Sequence, residues 1–279
     1  MRLPQPGIPD RSAPLGRSLR HPVGPTRAAR IVRYRRQVNS PIEARWLGRV
    51  PYRDGWALQH RLVEDRAAGT IPDQLLLIEH DAVLTLGRNA DDAHVRVLPE
   101  MLAARGIELI RVERGGEVTY HGPGQLVAYP LVRLADRGML IRPYVRALEE
   151  AMAATTRAYG VSAARRDGLP GLWVDPEGAL PRKIGALGVR VERGVTYHGI
   201  ALNVTTDLRD FALIDPCGMP GIGITSVARE AGWPADRQAP STESVSDAAA
   251  IFADALASGL DADLVWSQRL PTAALATAS

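Results

Sequence analysis

The sequence predicts an α+β domain: a mixed, largely antiparallel sheet with helices packed on it. Two observations predict this. Short apolar or alternating runs outnumber helical stretches, and most follow one another like hairpin neighbours rather than in strict strand–helix alternation. The 279 residues are 46% hydrophobic and 23% charged, which is enough for a sizeable core.

Ala44–Val50 reads as a strand, and Tyr52–Ala68 as a helix with Trp56, Leu58, Leu62 and Val63 at helical spacing and Gly69 as its stop. Gln74–Glu79 and Val83–Leu86 are short apolar runs around His80-Asp81, a hairpin candidate. Pro99–Arg105 opens on a proline suited to the first helical turn and closes at Gly106. Glu108–Val112, Val118–His121 and Leu126–Leu134 read as strands. Arg142–Tyr159 is the strongest helix, ended by Gly160. Leu172–Asp175, Ile184–Glu192 and Val195–Val204 are strands again. Thr225 or Ser226 can cap a short helix to Ala231, and Ser246–Ser258 is an Ala-rich amphipathic helix. Pro271–Ser279 is a loose end.

The net charge of +3 hides an asymmetry. Nine Arg and one Asp fall in residues 1–36, whereas the rest carries 25 basic and 30 acidic residues. The basic character therefore belongs to a Pro- and Arg-rich tail that reads as disordered, and it argues poorly for nucleic-acid binding. No apolar run is long enough for a membrane span. A single Cys excludes a disulfide framework and a multi-Cys zinc site, and a reducing, cytosolic setting suits it. No ligand spacing points to a metal, and neither G-x-G-x-x-G nor a phosphate loop is present. No cofactor is expected.

Of 34 basic residues, one is lysine: Lys183. A coding bias toward Arg explains the scarcity, and a survivor marks a position that needs an amine unless it escaped by chance. Lys183 enters the small-residue run Ile184-Gly185-Ala186-Leu187-Gly188, where backbone can approach a ligand. A solvated strand-edge lysine is the alternative.

Cys217 lies in Asp215-Pro216-Cys217-Gly218-Met219-Pro220-Gly221, a rigid non-helical loop rather than an apolar periodic segment. Gly218 can present an unobstructed N–H to an oxyanion. Nucleophile and inert thiol both remain open from the loop alone. At neutral pH only about 3% of an ordinary thiol is thiolate, so a nucleophile needs a nearby cation.

Arg114–Gln125 is the densest segment, with paired glycines after a strand. Val118-Thr119-Tyr120-His121-Gly122 recurs as Val195-Thr196-Tyr197-His198-Gly199, which suggests two walls of one pocket or a coincidence of two strand edges. His121 and His198 are acid/base candidates or satisfied pocket-wall residues.

At these residues the chain resembles the lipoyl (octanoyl) transferases, the LipB-type enzymes. Arg114–Gln125, Lys183–Gly188, His198–Asn203 and Cys217-Gly218 occur in that family's order, and the likeness covers about residues 43–232. The resemblance implies the fold of the biotin and lipoate ligase catalytic domain over residues 41–260, between a basic tail (1–40) and a C-terminal tail (261–279). It also implies transfer of an octanoyl group from octanoyl-acyl carrier protein to a lysine of lipoyl domains, those of 2-oxoacid dehydrogenase complexes and the glycine cleavage H protein. Cys217 would be the acyl-accepting nucleophile and Lys183 its acid/base partner. Substrate would be lined by Arg114, Gly115, Gly116, Glu117, Val118, Thr119, Tyr120 and His121, by Ala186, Leu187 and Gly188, and by Gly199, Ile200 and Ala201. The basic tail has no counterpart in the core family pattern.

Arg111, Arg114, Arg165, Arg166 and Arg182 are docking candidates for acidic partner proteins, or plain solvated charge. A lipoate or biotin ligase of the same fold would need ATP and not Cys217. A cysteine thioesterase would release free octanoate, and a non-enzymatic acyl-binding module would tolerate loss of the thiol.

Overall fold

The structure is a computed structural model and describes residues 41–216 and 221–268; the expected tail before residue 41 and the loose end after Pro271 lie outside the described residues. In chain order the elements are β1 (Ile42–Val50), α1 (Tyr52–Ala68), β2 (Asp73–His80), β3 (Val83–Leu86), α2 (Pro99–Ala104) and β4 (Glu108–Arg111). Then come β5 (Val118–His121), β6 (Gln125–Leu131), α3 (Ile141–Ala158), β7 (Ala164–Arg166), β8 (Leu169–Val174), β9 (Arg182–Glu192) and β10 (Val195–Asn203). The chain closes with β11 (Gly223–Ile224), α4 (Val227–Glu230), α5 (Thr242–Gly259) and β12 (Leu264–Trp266).

The strands form a large mixed sheet ordered β12-β1-β2-β6-β10-β9-β8-β7, with β11 added to β9, and a small one ordered β4-β3-β5. Antiparallel pairing dominates the large sheet; β1 pairs in parallel with both β12 and β2. Helices α3 and α5 cover one face. Tyr144, Leu148 and Met152 of α3 recur at helical spacing and pack with Phe252 and Leu256 of α5 against Leu75, Leu77, Leu126 and Leu202. Helix α1 covers part of the other face, where Leu58, Leu62 and Val63 meet Leu76, Ile78 and Val127. Strand β2 is thus buried on both faces, which is why its centre, residues 75–78, reads as a continuous apolar run.

Helix ends follow the local chemistry. Gly69 ends α1 in the left-handed conformation at φ 78° and donates its N–H to Arg66 O at 3.1 Å. Ser226 caps α4 by accepting from the Arg229 N–H, and Ser241 caps α5 by accepting from the Ser244 N–H, so α5 begins at Thr242, four residues before its expected start.

Two expectations are corrected. β2 and β3 do not form a hairpin: β2 pairs with β1 and β6, while β3 is the central strand of the small sheet. His80-Asp81 is a corner between sheets, since both runs are buried and each needs two strand neighbours. The folded domain also runs past residue 260, because β12 pairs in register with β1, Ile42 opposite Leu264.

Candidate active site

A cavity of about 230 Å³ lies between the small sheet and the face of the large sheet that α1 leaves open. Its floor comes from the large sheet. Ala201 of β10 stands opposite Val127 of β6 and opposite Ala186 of β9, so three modest side chains lie in a row across three strands. Gly188 and Gly199 are likewise register partners. A Cβ at Gly188 would lie 2.6 Å from Gly115 O, and one at Gly199 would collide with the Ala128 carbonyl. The cavity exists because these positions are small.

The small sheet and its connections supply the roof. Arg114, Gly116, Glu117, Val118, Thr119 and His121 line the cavity, as do Lys183, Ala186, Leu187 and Gly188 of β9 and Gly199, Ile200 and Ala201 of β10. Two expected lining residues are not on its wall. Gly115 turns its backbone to β9, donating to Val189 O at 3.3 Å. Tyr120 faces away, edge-on to Phe211 with centroids 5.3 Å apart, because successive strand residues point to opposite faces. Sequence reasoning missed Tyr52, Val127, Tyr129, Leu169 and Pro170 on the wall.

Arg114 is buried and anchored to β3, donating from Nη2 to Thr85 O at 2.6 Å and from Nη1 to Gly115 O at 3.1 Å. Glu113 beside it accepts from Trp56 Nε1 at 3.0 Å and approaches His60 Nε2 at 3.1 Å and His198 Nε2 at 3.4 Å. Burial alone would raise this carboxyl, but the bonds to His198 and Trp56 hold it below the ordinary carboxylate range. His198 occupies left-handed backbone space at φ 54°, uncommon for a residue inside a strand, and its N–H is held by Gln59 Oε1 at 2.8 Å.

His80 and His121 are neutral imidazoles. Burial pushes His80 down to about 4; burial and the nearby His80 and Arg114 push His121 down to about 3. Burial also raises Tyr52 to about 12 and lowers His198. Both histidines of the repeated motif line the cavity, as two walls of one pocket would require, but the likeness ends there. Thr119 faces the cavity, whereas Thr196 donates to Pro130 O and accepts from the Val132 N–H.

Lys183 is 6% exposed on the cavity wall, and Nζ donates to Pro170 O at 3.1 Å and lies 5.1 Å from the Trp173 ring centroid. Gly171 makes room for it: at φ 116°, a Cβ there would sit 2.9 Å from Lys183 Cε. Cys217 and Gly218 lie outside the described residues. Their described flanks converge on Lys183: Pro216 and Ile224 line a small second cavity that Lys183 also lines. Ile224 is the register partner of Lys183, and the Thr225 N–H donates to Lys183 O at 3.0 Å.

The sequence matches the lipoyl protein ligase A/B catalytic domain over residues 51–250. This chain belongs to that family. An octanoyltransferase of Acidobacterium capsulatum is 50% identical over 192 residues, covering 66% of this chain and 78% of that one. One of Corynebacterium efficiens is 44% identical over 227 residues, covering 81% and 86%. These relatives place the chain among the LipB-type octanoyltransferases, and it is an acyltransferase. A lipoate protein ligase structure from T. acidophilum with bound lipoic acid superposes with a TM-score of 0.63 at 20% identity, covering 84% of this chain and 92% of that one. A lipoate-protein ligase A bound with ATP gives 0.61 at 20% identity over the same shares. At that identity the two show the shared fold.

The docking arginines are engaged within the chain. Arg111 pairs with Asp92, Arg165 with Glu150 and Arg182 with Glu230, and Arg166 lies over Trp173. Among the described residues no His, Cys, Asp and Glu group could hold a metal ion, and no helix is long and apolar enough to cross a membrane.

Proposed function

We propose that this acyltransferase moves an octanoyl group from octanoyl-acyl carrier protein to a lysine of lipoyl domains, through a thioester on Cys217 with Lys183 as acid/base. The observation that carries the reading is the buried Lys183 on the wall of a largely apolar cavity and of a small second cavity that Pro216 and Ile224, on either side of the Cys217 loop, also line.

The Cys217 thiolate, favoured by the Lys183 ammonium, attacks the donor thioester carbon. The C–S bond to the carrier breaks, and the departing carrier thiolate takes a proton from Lys183. The exchange replaces one thioester by another, so it needs no nucleotide. The acceptor amine then attacks the enzyme thioester, Lys183 takes the amine's proton, and the Cys217 thiolate is released. Backbone N–H groups near the loop hold the oxyanion in both steps. The acyl tail lies over Val127, Ala201 and Ala186.

Intact-protein mass spectrometry tests this. Enzyme mixed with octanoyl-carrier protein gains about 126 Da, the octanoyl increment expected for covalent catalysis. Cys217→Ser shows no thioester adduct. Lys183→Arg keeps the charge but cannot act as a base, so it retains some acylation and loses transfer to the lipoyl domain. Intact transfer by Cys217→Ser, or transfer that requires ATP, overturns the proposal.

A further inference from the structure

His121 lines the cavity, and from its Nδ1 a line of hydrogen bonds runs through the core to Thr225, which is bonded to the strand that carries Lys183. Each atom on that line can be identified from two backbone carbonyls. The Thr225 carbonyl only accepts, so the Asn203 atom 3.0 Å from it is the amide nitrogen Nδ2. Asn203 Oδ1 therefore faces Gln125, whose Nε2 donates to it at 2.9 Å. The Tyr120 carbonyl also only accepts, and takes the second hydrogen of the same Gln125 amide at 3.1 Å. That leaves Gln125 Oε1 facing His121 Nδ1 at 2.8 Å. An amide oxygen has no hydrogen to give, so the proton of this contact sits on Nδ1.

Reversing any one amide sets two lone pairs, or two N–H groups, against each other. His121, Gln125 and Asn203 are 6%, 1% and 4% exposed, so bulk water is not there to repair the mismatch. Since burial keeps the ring neutral, Nε2 carries only its lone pair. The other end of the line is fixed too, because the Thr225 N–H donates to Lys183 O. The orientation of one cavity imidazole and the register of the Lys183 strand thus share one set of bonds.

We infer that Gln125 and Asn203 are positioning residues: they hold His121 with its proton on Nδ1 and present Nε2 to the cavity as a hydrogen-bond acceptor. On this assignment His121 is not a proton donor to the substrate at neutral pH. The group it receives bears an N–H or O–H. Only the kinetic arm of the test rests on the octanoyl-transfer proposal.

Imidazole ¹⁵N NMR on the full-length protein at neutral pH provides the test, with the His121 signals assigned by their loss in His121→Gln. The expected spectrum has a protonated Nδ1 and an unprotonated Nε2 in one tautomer. A proton on Nε2, or an averaged pair of signals, overturns the assignment whatever the activity. Gln125→Glu still accepts from Nδ1 but cannot donate to Tyr120 O or Asn203 Oδ1, and its charge favours the imidazolium. It should protonate both ring nitrogens of His121 and lower kcat about tenfold or more, with KM for octanoyl-carrier protein within about threefold. Unchanged ring signals and unchanged kcat in Gln125→Glu would refute the positioning role and leave octanoyl transfer standing. If that variant does not fold, the wild-type spectrum still decides the tautomer.

Discussion

Replacing Ala186 by Leu should shorten the acyl chain the enzyme prefers. Ala186 faces its register partner Ala201 across the cavity floor and is only partly buried, so a larger side chain has somewhere to go: into the cavity. The substitution adds three carbons, room taken from about three methylenes of the acyl tail. At about 0.8 kcal/mol per buried methylene, octanoyl loses about 2.4 kcal/mol, or roughly 60-fold in kcat/KM. Hexanoyl reaches less far and loses about one methylene's contact, about 0.8 kcal/mol or fourfold. The octanoyl-to-hexanoyl preference should therefore fall about 15-fold. The assay is a competition between octanoyl- and hexanoyl-carrier protein for one lipoyl-domain acceptor, read as the mass ratio of products. Using a ratio removes any chain-independent disturbance of nearby Lys183. A ratio that moves less than about twofold would show that the tail does not lie over Ala186.

Three further outcomes follow from the packing and the buried imidazoles. Gly171→Ala places a Cβ in positive-φ space against Gly185 O and Lys183 Cε; it should cost about 3 kcal/mol in denaturant unfolding and depress transfer more than Ala substitutions elsewhere on β8. Phe211→Ala removes the partner of Tyr120 and should cost about 3 kcal/mol by thermal or urea unfolding. His80 and His121 hold their protons less tightly folded than unfolded, so the unfolded chain binds more protons as pH falls below about 6.5. Stability should then drop by about 2 kcal/mol per ring between pH 6.5 and 5, and urea midpoints that do not fall over that range would contradict the neutral assignment.

Much of the fold was legible because its signals are local. Tyr52–Ala68 appears with the boundaries its spacing and Gly69 predict, and α3 and β5 fall within a residue of theirs. The β2–β3 hairpin failed for a non-local reason. Both runs place apolar residues on both faces (residues 75–78; Val83, Leu84 and Leu86), which says that each is covered on both faces and says nothing about which strands cover it. β12 was missed for a similar reason, since three residues carry no periodicity and only the open edge of β1 makes them a strand.

The site divides along the same line. A contiguous motif mixes both faces of its strand, so Tyr120 was grouped with Thr119 and His121 although the strand's period of two sends it into the core beside Phe211. The small residues Ala186, Gly188, Gly199 and Ala201 were visible as motif letters, but their joint effect needs the register that stacks 186 on 201 and 188 on 199. Gln125 and Asn203, 78 positions apart, have meaning only as a bonded pair. No spacing could show that one amide's orientation dictates the other's, and through it where a proton sits on His121. Local physics thus selects the elements and the chemically capable residues, whereas the division of work among those residues is settled by contacts between strands that only the fold brings together.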